Sequence, residues 1–228
     1  MSFTKTIFEE NIINNVQKIN TNTINDNDIT PLLDAIDNTI TIMEKLTEID
    51  QEISGLWNEI TSDVIASVNS ATAGFYRQAI ITLRSILELG CMSFYYLDHK
   101  IEYHLFKTHD AKADKYVSTL IRDYDFFTTN YIHASYPSIK DVQKENNSVS
   151  NYLNNIYKQL SDVVHGRFKT LTKQQSLKIQ YDKEQFQFYI NKLTTVIGIF
   201  AAMYILKNNG TDDNKLIDLA NNTGVVTL

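Results

Sequence analysis

Only two prolines, Pro31 and Pro137, and 7 glycines punctuate this chain of 228 residues. So few turn-formers cannot supply the frequent reversals of a β-sandwich. They leave long helices joined by short polar loops as the architecture the chain can adopt. The length is sufficient to bury a sizeable core. A hydrophobic share of 43% places the chain among globular proteins rather than disordered ones.

The spacing of apolar residues fills in the helices. Phe3, Ile7, Phe8, Ile12, Val16 and Ile19 recur at helical intervals, which predicts an amphipathic helix over 3–20, docked by one face. A polar loop, "NTNTINDND" (20–28), is expected next. Thr30 is expected to cap the following helix, with Pro31 at its first position. Leu33, Ile36, Ile40, Met43, Leu46 and Ile49 continue the pattern, and Gly55 offers a break or bend before "LWNEITSDVIASVNS". Gly74 opens a central helix that runs to about Asp98.

Residues 101–132 read as one helix or a helical pair, stopping before Pro137, and "SIKDVQKENN" is a charged connector. Ser148 or Ser150 can cap "NYLNNIYKQLSDVVHG", which Gly166 should end. "SLKIQYD" (176–182) fits an extended connector or one short strand. Residues 183–208 form the most apolar helix, and "DNKLIDLAN" makes a last short one. The expectation is an all-α fold: a single compact multi-helix bundle of about seven helices. Residues 1–29 form its N-terminal docking helix and polar loop, and 30–228 form one all-α domain.

Cys91 is the only cysteine, so no disulfide framework or thiolate cluster can form, which suits a reducing cytoplasm. The N-terminus "MSFTKTIFEENIINNV" lacks the basic and apolar regions of a secretory signal. The longest uncharged apolar run, "LTTVIGIFAAMYIL" (193–206), falls short of the ~20 residues that span a bilayer. The expectation is a cytoplasmic protein with no membrane partner. A formal charge of −6 argues against a broad nonspecific nucleic-acid coat but leaves room for a local basic site.

No HExxH, glycine-rich phosphate loop or CxxC is present, and Ser85 and Ser161 lack the strand–turn–helix setting of a hydrolase nucleophile. His99, His104 and His109 recur every five residues, whereas helical metal pairs want four, so they read as a solvated face. No metal and no cofactor are expected. The many Tyr and Phe residues could stack on bases, but packing accounts for them more simply.

Two segments carry candidate chemistry. In "FYRQAIITLRSILELGCMSFYYL", Arg84 and Glu88 stand four residues apart on one helix face, and Arg77 precedes Arg84 by two turns on the same side. Their neighbours are almost all apolar, so the guanidinium should be at least half buried. It then needs Glu88, a carbonyl, a second acid or a ligand anion as partner. The Arg-then-Glu order is the weaker orientation for an intrahelical pair, so Glu88 alone is a poor reason to keep Arg84 there. In "YKQLSDVVHGRF", Lys158, Ser161 and His165 line one face, with Asp162 on an adjacent edge. His165 falls in the last helical turn beside Gly166 and Arg167, where the helix dipole favours its charged form. A structural ion pair and a helix-capping histidine are the plain readings of the two segments taken singly.

Taken together, "RxxxE" on an apolar helix followed by "LSxxVHG" resembles the HEPN-like superfamily, bacterial all-α proteins of defence and toxin–antitoxin systems, many of them endoribonucleases. The resemblance covers roughly residues 30–208 in helix order. It implies metal-independent RNA cleavage in which the 2′-OH attacks the adjacent phosphate. His165 would act as base or acid, Arg84 would stabilise the phosphate charge, and Glu88 would orient Arg84. Lys158, Ser161, Arg167 and Arg77 would hold the RNA backbone. It also implies a homodimer and a protein partner from a defence or toxin–antitoxin operon. One departure stands out: the family pattern is Arg, four to six intervening residues, then His, with a polar residue after the Arg. Here no Arg stands there. The nearest cation is Lys158, followed by polar Gln159, with six residues between it and His165, and Lys cannot make a planar bidentate phosphate contact. The alternatives are a non-catalytic adaptor, sensor or immunity module of the same fold, and a small-ligand bundle in which Arg84 grips an anion.

Overall fold

The computed structural model describes residues 4–109, 116–137, 148–165, 179–209 and 213–224. Every regular element among them is helical. A first rod consists of α1 (Lys5–Phe8), a π-helical turn (Glu9–Ile13) and α2 (Asn14–Asp26). Then come α3 (Thr30–Ile49), α4 (Ser54–Thr72), α5 (Tyr76–Asp98), α6 (Lys100–His109), α7 (Val117–Tyr124), α8 (Thr129–Ser135) and α9 (Ser148–Val164). The last two are α10 (Lys183–Asn208) and α11 (Asn214–Asn222). The helix count exceeds the expectation chiefly because 101–132 is divided into short pieces, with Asp125 and Phe127 in the left-handed region closing α7.

Several boundaries differ from the sequence reading for local reasons. The first rod continues through the expected polar loop to Asp26, because Thr23 is buried and its hydroxyl donates to the Thr72 carbonyl at 3.1 Å. The rod docks by its later half: Ile19 is buried, whereas Phe8 and Ile13 are exposed. Helix α3 begins at Thr30 itself, with the Asp28 carboxylate accepting from its N–H at 2.9 Å. The break between α3 and α4 falls at Asp50, whose carboxylate accepts from Glu52 N–H, and not at Gly55, which lies inside α4. Residues 179–182 are an extended connector, not a strand. They are latched to the first rod by Asn15 and to α5 by the Tyr76 hydroxyl. Residues 176–178, Gly166 and most of "SIKDVQKENN" lie outside the described residues.

α4 and α5 form a hairpin around Gly74, whose φ of +84° only glycine adopts without strain. α10 packs against α3, α5, α9 and α11 and is buried along most of its length. The core centres on Trp57, Phe94 and Phe200. The Trp57 ring meets Phe94 at 6.0 Å and Phe200 at 5.8 Å, both edge to face. Gly90 allows the closest approach: a Cβ there would lie 2.1 Å from the Phe200 ring. By length and composition, α5 and α10 could each cross a membrane. In this fold 61% and 78% of their most apolar windows is buried inside the protein.

Candidate functional site

α5 and α9 run antiparallel, as two contacts along their shared seam establish. Near the middle, Arg84 meets Tyr157; toward the C-terminal end of α9, Arg77 meets Val164. Arg84 Nη2 donates to Glu88 Oε1 at 3.1 Å and to the Tyr157 hydroxyl at 3.0 Å, and its guanidinium carbon lies 5.2 Å from the Tyr157 ring centre. The Arg84 and Glu88 side chains are 18% and 23% exposed, the half-buried setting that the apolar neighbours implied. Burial pulls the guanidinium down, but the Tyr157 hydroxyl, the Glu88 carboxylate and Tyr116 outweigh it and hold Arg84 above its ordinary range. Glu88 also adds to the burial that pushes the Cys91 thiol far up, so that cysteine is an inert core group.

Two buried polar atoms on the seam have no hydrogen-bond partner: Arg84 Nε and Ser161 Oγ. Ser161 follows Tyr157 by one helical turn on the same face of α9. Its hydroxyl oxygen is buried, while its carbonyl accepts from His165 N–H at 2.9 Å. His165 is exposed in the turn that follows α9. Arg77, also exposed, donates to the Val164 carbonyl at 3.3 Å and so satisfies one of the free carbonyls at the end of α9.

The structure therefore sorts the expected site residues along one line. Arg84, Glu88 and Tyr157 meet within the seam, while Arg77 and His165 are exposed toward the C-terminal end of α9. His165 lies two turns beyond Tyr157, about 12 Å of helix rise, and follows Val164, whose carbonyl Arg77 reaches. Lys158 is exposed on α9. Arg167 lies outside the described residues.

Tyr157 is the residue sequence reasoning missed. Its position four before Ser161 was the available signal. A second cluster also went unseen, at the far end of α5. There Asp98 receives Lys207 at 2.6 Å and the Tyr131 hydroxyl at 2.6 Å, while Tyr136 joins both. The Lys207 side chain is only 7% exposed. Burial pushes Asp98 up, but Lys207 and the two tyrosines win and hold its carboxyl below the ordinary range. His99 is not on a solvated face: its ring stacks on Tyr95 at 3.8 Å. Among the described residues, no group of three or more His, Cys, Asp and Glu could hold a metal ion.

Comparison with known protein families, with curated proteins and with solved structures finds no match to this chain.

Proposed function

We propose that the chain is a HEPN-like RNA-processing protein of the bacterial defence type, a metal-independent endoribonuclease working along the α5–α9 seam. The observation that carries this reading is the line of two arginines, a carboxylate and two hydroxyls that ends at the exposed His165. In this reading His165 takes the proton of a 2′-OH. That oxygen attacks the adjacent phosphate, the bond to the 5′-oxygen breaks as a cyclic phosphate forms, and the proton held by His165 passes through water to the leaving oxygen. Arg77 is the guanidinium placed to offset the developing negative charge near His165. Arg84, held by Glu88 and Tyr157, binds a neighbouring phosphate deeper in the seam, and Lys158 and Arg167 steer the backbone. The reading includes a two-fold dimer, a cytoplasmic location and a partner protein from the same operon.

The test is purified wild type beside His165→Ala, Arg77→Ala and Arg84→Ala on a broad RNA panel in the presence of a chelator. Cleavage with 2′,3′-cyclic ends is expected from wild type, reduced roughly 10²–10⁴-fold in His165→Ala. A wild type that cuts nothing on the panel rejects the enzyme.

One observation favours a second reading, a non-catalytic module of the same fold. Both hydrogen bonds that Arg84 Nη2 makes are internal, to Glu88 and Tyr157, as in a structural tie between helices. RNA or partner-protein binding that survives all three substitutions, with no strand scission, is the outcome that reading expects.

A further inference from the structure

Charge is shared unevenly along this chain. Between Lys18 and Arg77 the only Lys or Arg is Lys45, against ten Asp and Glu. Lys45 is committed to Asp213, while Asp50 and Glu52 in the turn between α3 and α4 are answered by Lys100 and Lys107 of α6. Asp34, Asp37, Glu44 and Glu48 on α3, with Glu59 and Asp63 on α4, make no ion pair among the described residues. Burial and the nearby Glu59 push the Asp63 carboxyl up, as expected of like charges with no cation beside them. Carbon runs between these acids. α3 and α4 form an antiparallel hairpin, and the Thr61 hydroxyl, donating to Met43 Sδ at 3.7 Å, sets its register. At that register Ile40 stands level with Ile65, and Ile36 with Val68. Leu33 and Ile65 are 54% and 51% exposed, and Ile40 is half-buried. Helical spacing from Met43 and Thr61 puts the α3 acids on the side away from α4, and Glu59 and Asp63 on the side away from α3.

A row of carboxylates alone is a solvated face; an exposed apolar strip between two acidic rims is a surface with a complement. Among the described residues no group of His, Cys, Asp and Glu could hold a metal ion, so these charges are spread for a polycation rather than gathered for one ion. Nucleic acid is repelled by them. From Leu33 to Glu48 the strip spans about 22 Å of helix rise, the length of a helix of about 15 residues. We propose that the outer α3–α4 face is a docking surface for a basic amphipathic helix of a partner protein. The apolar stripe of that helix lies along Leu33, Ile40 and Ile65, and its Lys or Arg flanks meet the two acidic rims. A second copy of this chain fits less well, because its described helices carry Asp or Glu beside their Lys and Arg. The surface lies on α3 and α4, outside the α5–α9 seam, and does not depend on the nuclease reading.

The experiment selects binders to the full chain from a displayed library of randomised helices of about 16 residues. Enriched peptides should carry an apolar stripe at i, i+3 and i+4 spacing flanked by Lys and Arg, and their affinity should fall as salt is raised. Ile65→Ser, at a position already exposed, should weaken the best of them roughly tenfold, as loss of a central apolar anchor does. Asp37→Lys combined with Glu44→Lys should weaken binding roughly tenfold at low salt and less at high salt. Both variants should keep the wild-type circular dichroism and melting curve. A library that yields no binder, binders without a basic bias, or binding indifferent to both variants overturns the surface. Equal binding of a scrambled peptide of the same composition also overturns it, since charge attraction alone would then suffice. Self-association of the chain that Ile65→Ser abolishes would give the face to a second copy and likewise reject a basic partner.

Discussion

The two flanks of α5 are built on opposite principles. Toward α4 and α10 it presents Leu83, Ile86, Leu87 and Phe94, all with no exposed surface, and Gly90 lies against the Phe200 ring. Toward α9 it presents Arg77, Arg84 and Glu88, with hydrogen bonds crossing to a tyrosine hydroxyl and a backbone carbonyl. The first flank gains its stability from excluded water and tolerates no added methyl group. The second sets desolvation of a charge against a few hydrogen bonds and still leaves two polar atoms unmatched. By stability alone an apolar pair there would cost far less than breaking the ion pair from one side.

The sharpest way to break this contrast is at the dry flank. Phe200→Ala should cost about 3–5 kcal/mol by urea or thermal unfolding. Gly90→Ala should cost roughly 1–3 kcal/mol through overpacking and should be relieved in a Phe200→Leu background. If these changes prove milder than those on the polar flank, the contrast is wrong.

Next, Arg84→Met should lose about 1–3 kcal/mol, because Glu88 is left half buried without its partner. The double change Arg84→Met with Glu88→Leu should recover much of that loss, and a double variant no more stable than the single one would contradict a seam kept for reasons beyond stability. A smaller effect, about 0.5–1.5 kcal/mol, is expected for Tyr157→Phe, and it should vanish when Arg84 is already Met.

The smallest effect is one of pH, and it tests whether the polar flank is unique on α5. Asp98, at the far end of the same helix, has its carboxyl held below the ordinary value of ~3.9 by Lys207 and two tyrosines. Its stabilising contribution is therefore complete above the unfolded value and is lost as pH falls through the lowered folded one. Wild type and Asp98→Asn should differ in urea midpoint near neutrality and converge at low pH. Curves that stay parallel down to pH 2 would show that the Asp98–Lys207 network adds nothing.

How much of this was legible in the sequence depended on distance along the chain. The all-helical architecture followed from the scarcity of Gly and Pro, and helices such as Lys183–Asn208 and Asn214–Asn222 stand where their apolar spacing put them. The end of the first rod was not legible. Polar "NTNTIND" is held as helix by tertiary partners far away in sequence: Thr23 reaches Thr72, and Asn27, just past the helix end, reaches Tyr181. The Arg84–Glu88 pair could be read because it lies within one helical turn. Tyr157 could not, since nothing in an aromatic-rich helix says which ring turns to a neighbouring arginine. The Asp98–Lys207 contact was hidden for the same reason: each residue sits at the end of its own helix, and only tertiary packing brings the ends together.

α10 has a consequence for how this protein is made. It fills the space among α3, α5 and α9, yet it is synthesised after all three. Until it arrives, the nascent chain carries an open trough lined by Trp57 and Phe94, the rings destined for Phe200. A stop codon ahead of residue 183 would yield a sticky, chaperone-dependent fragment rather than a smaller working protein.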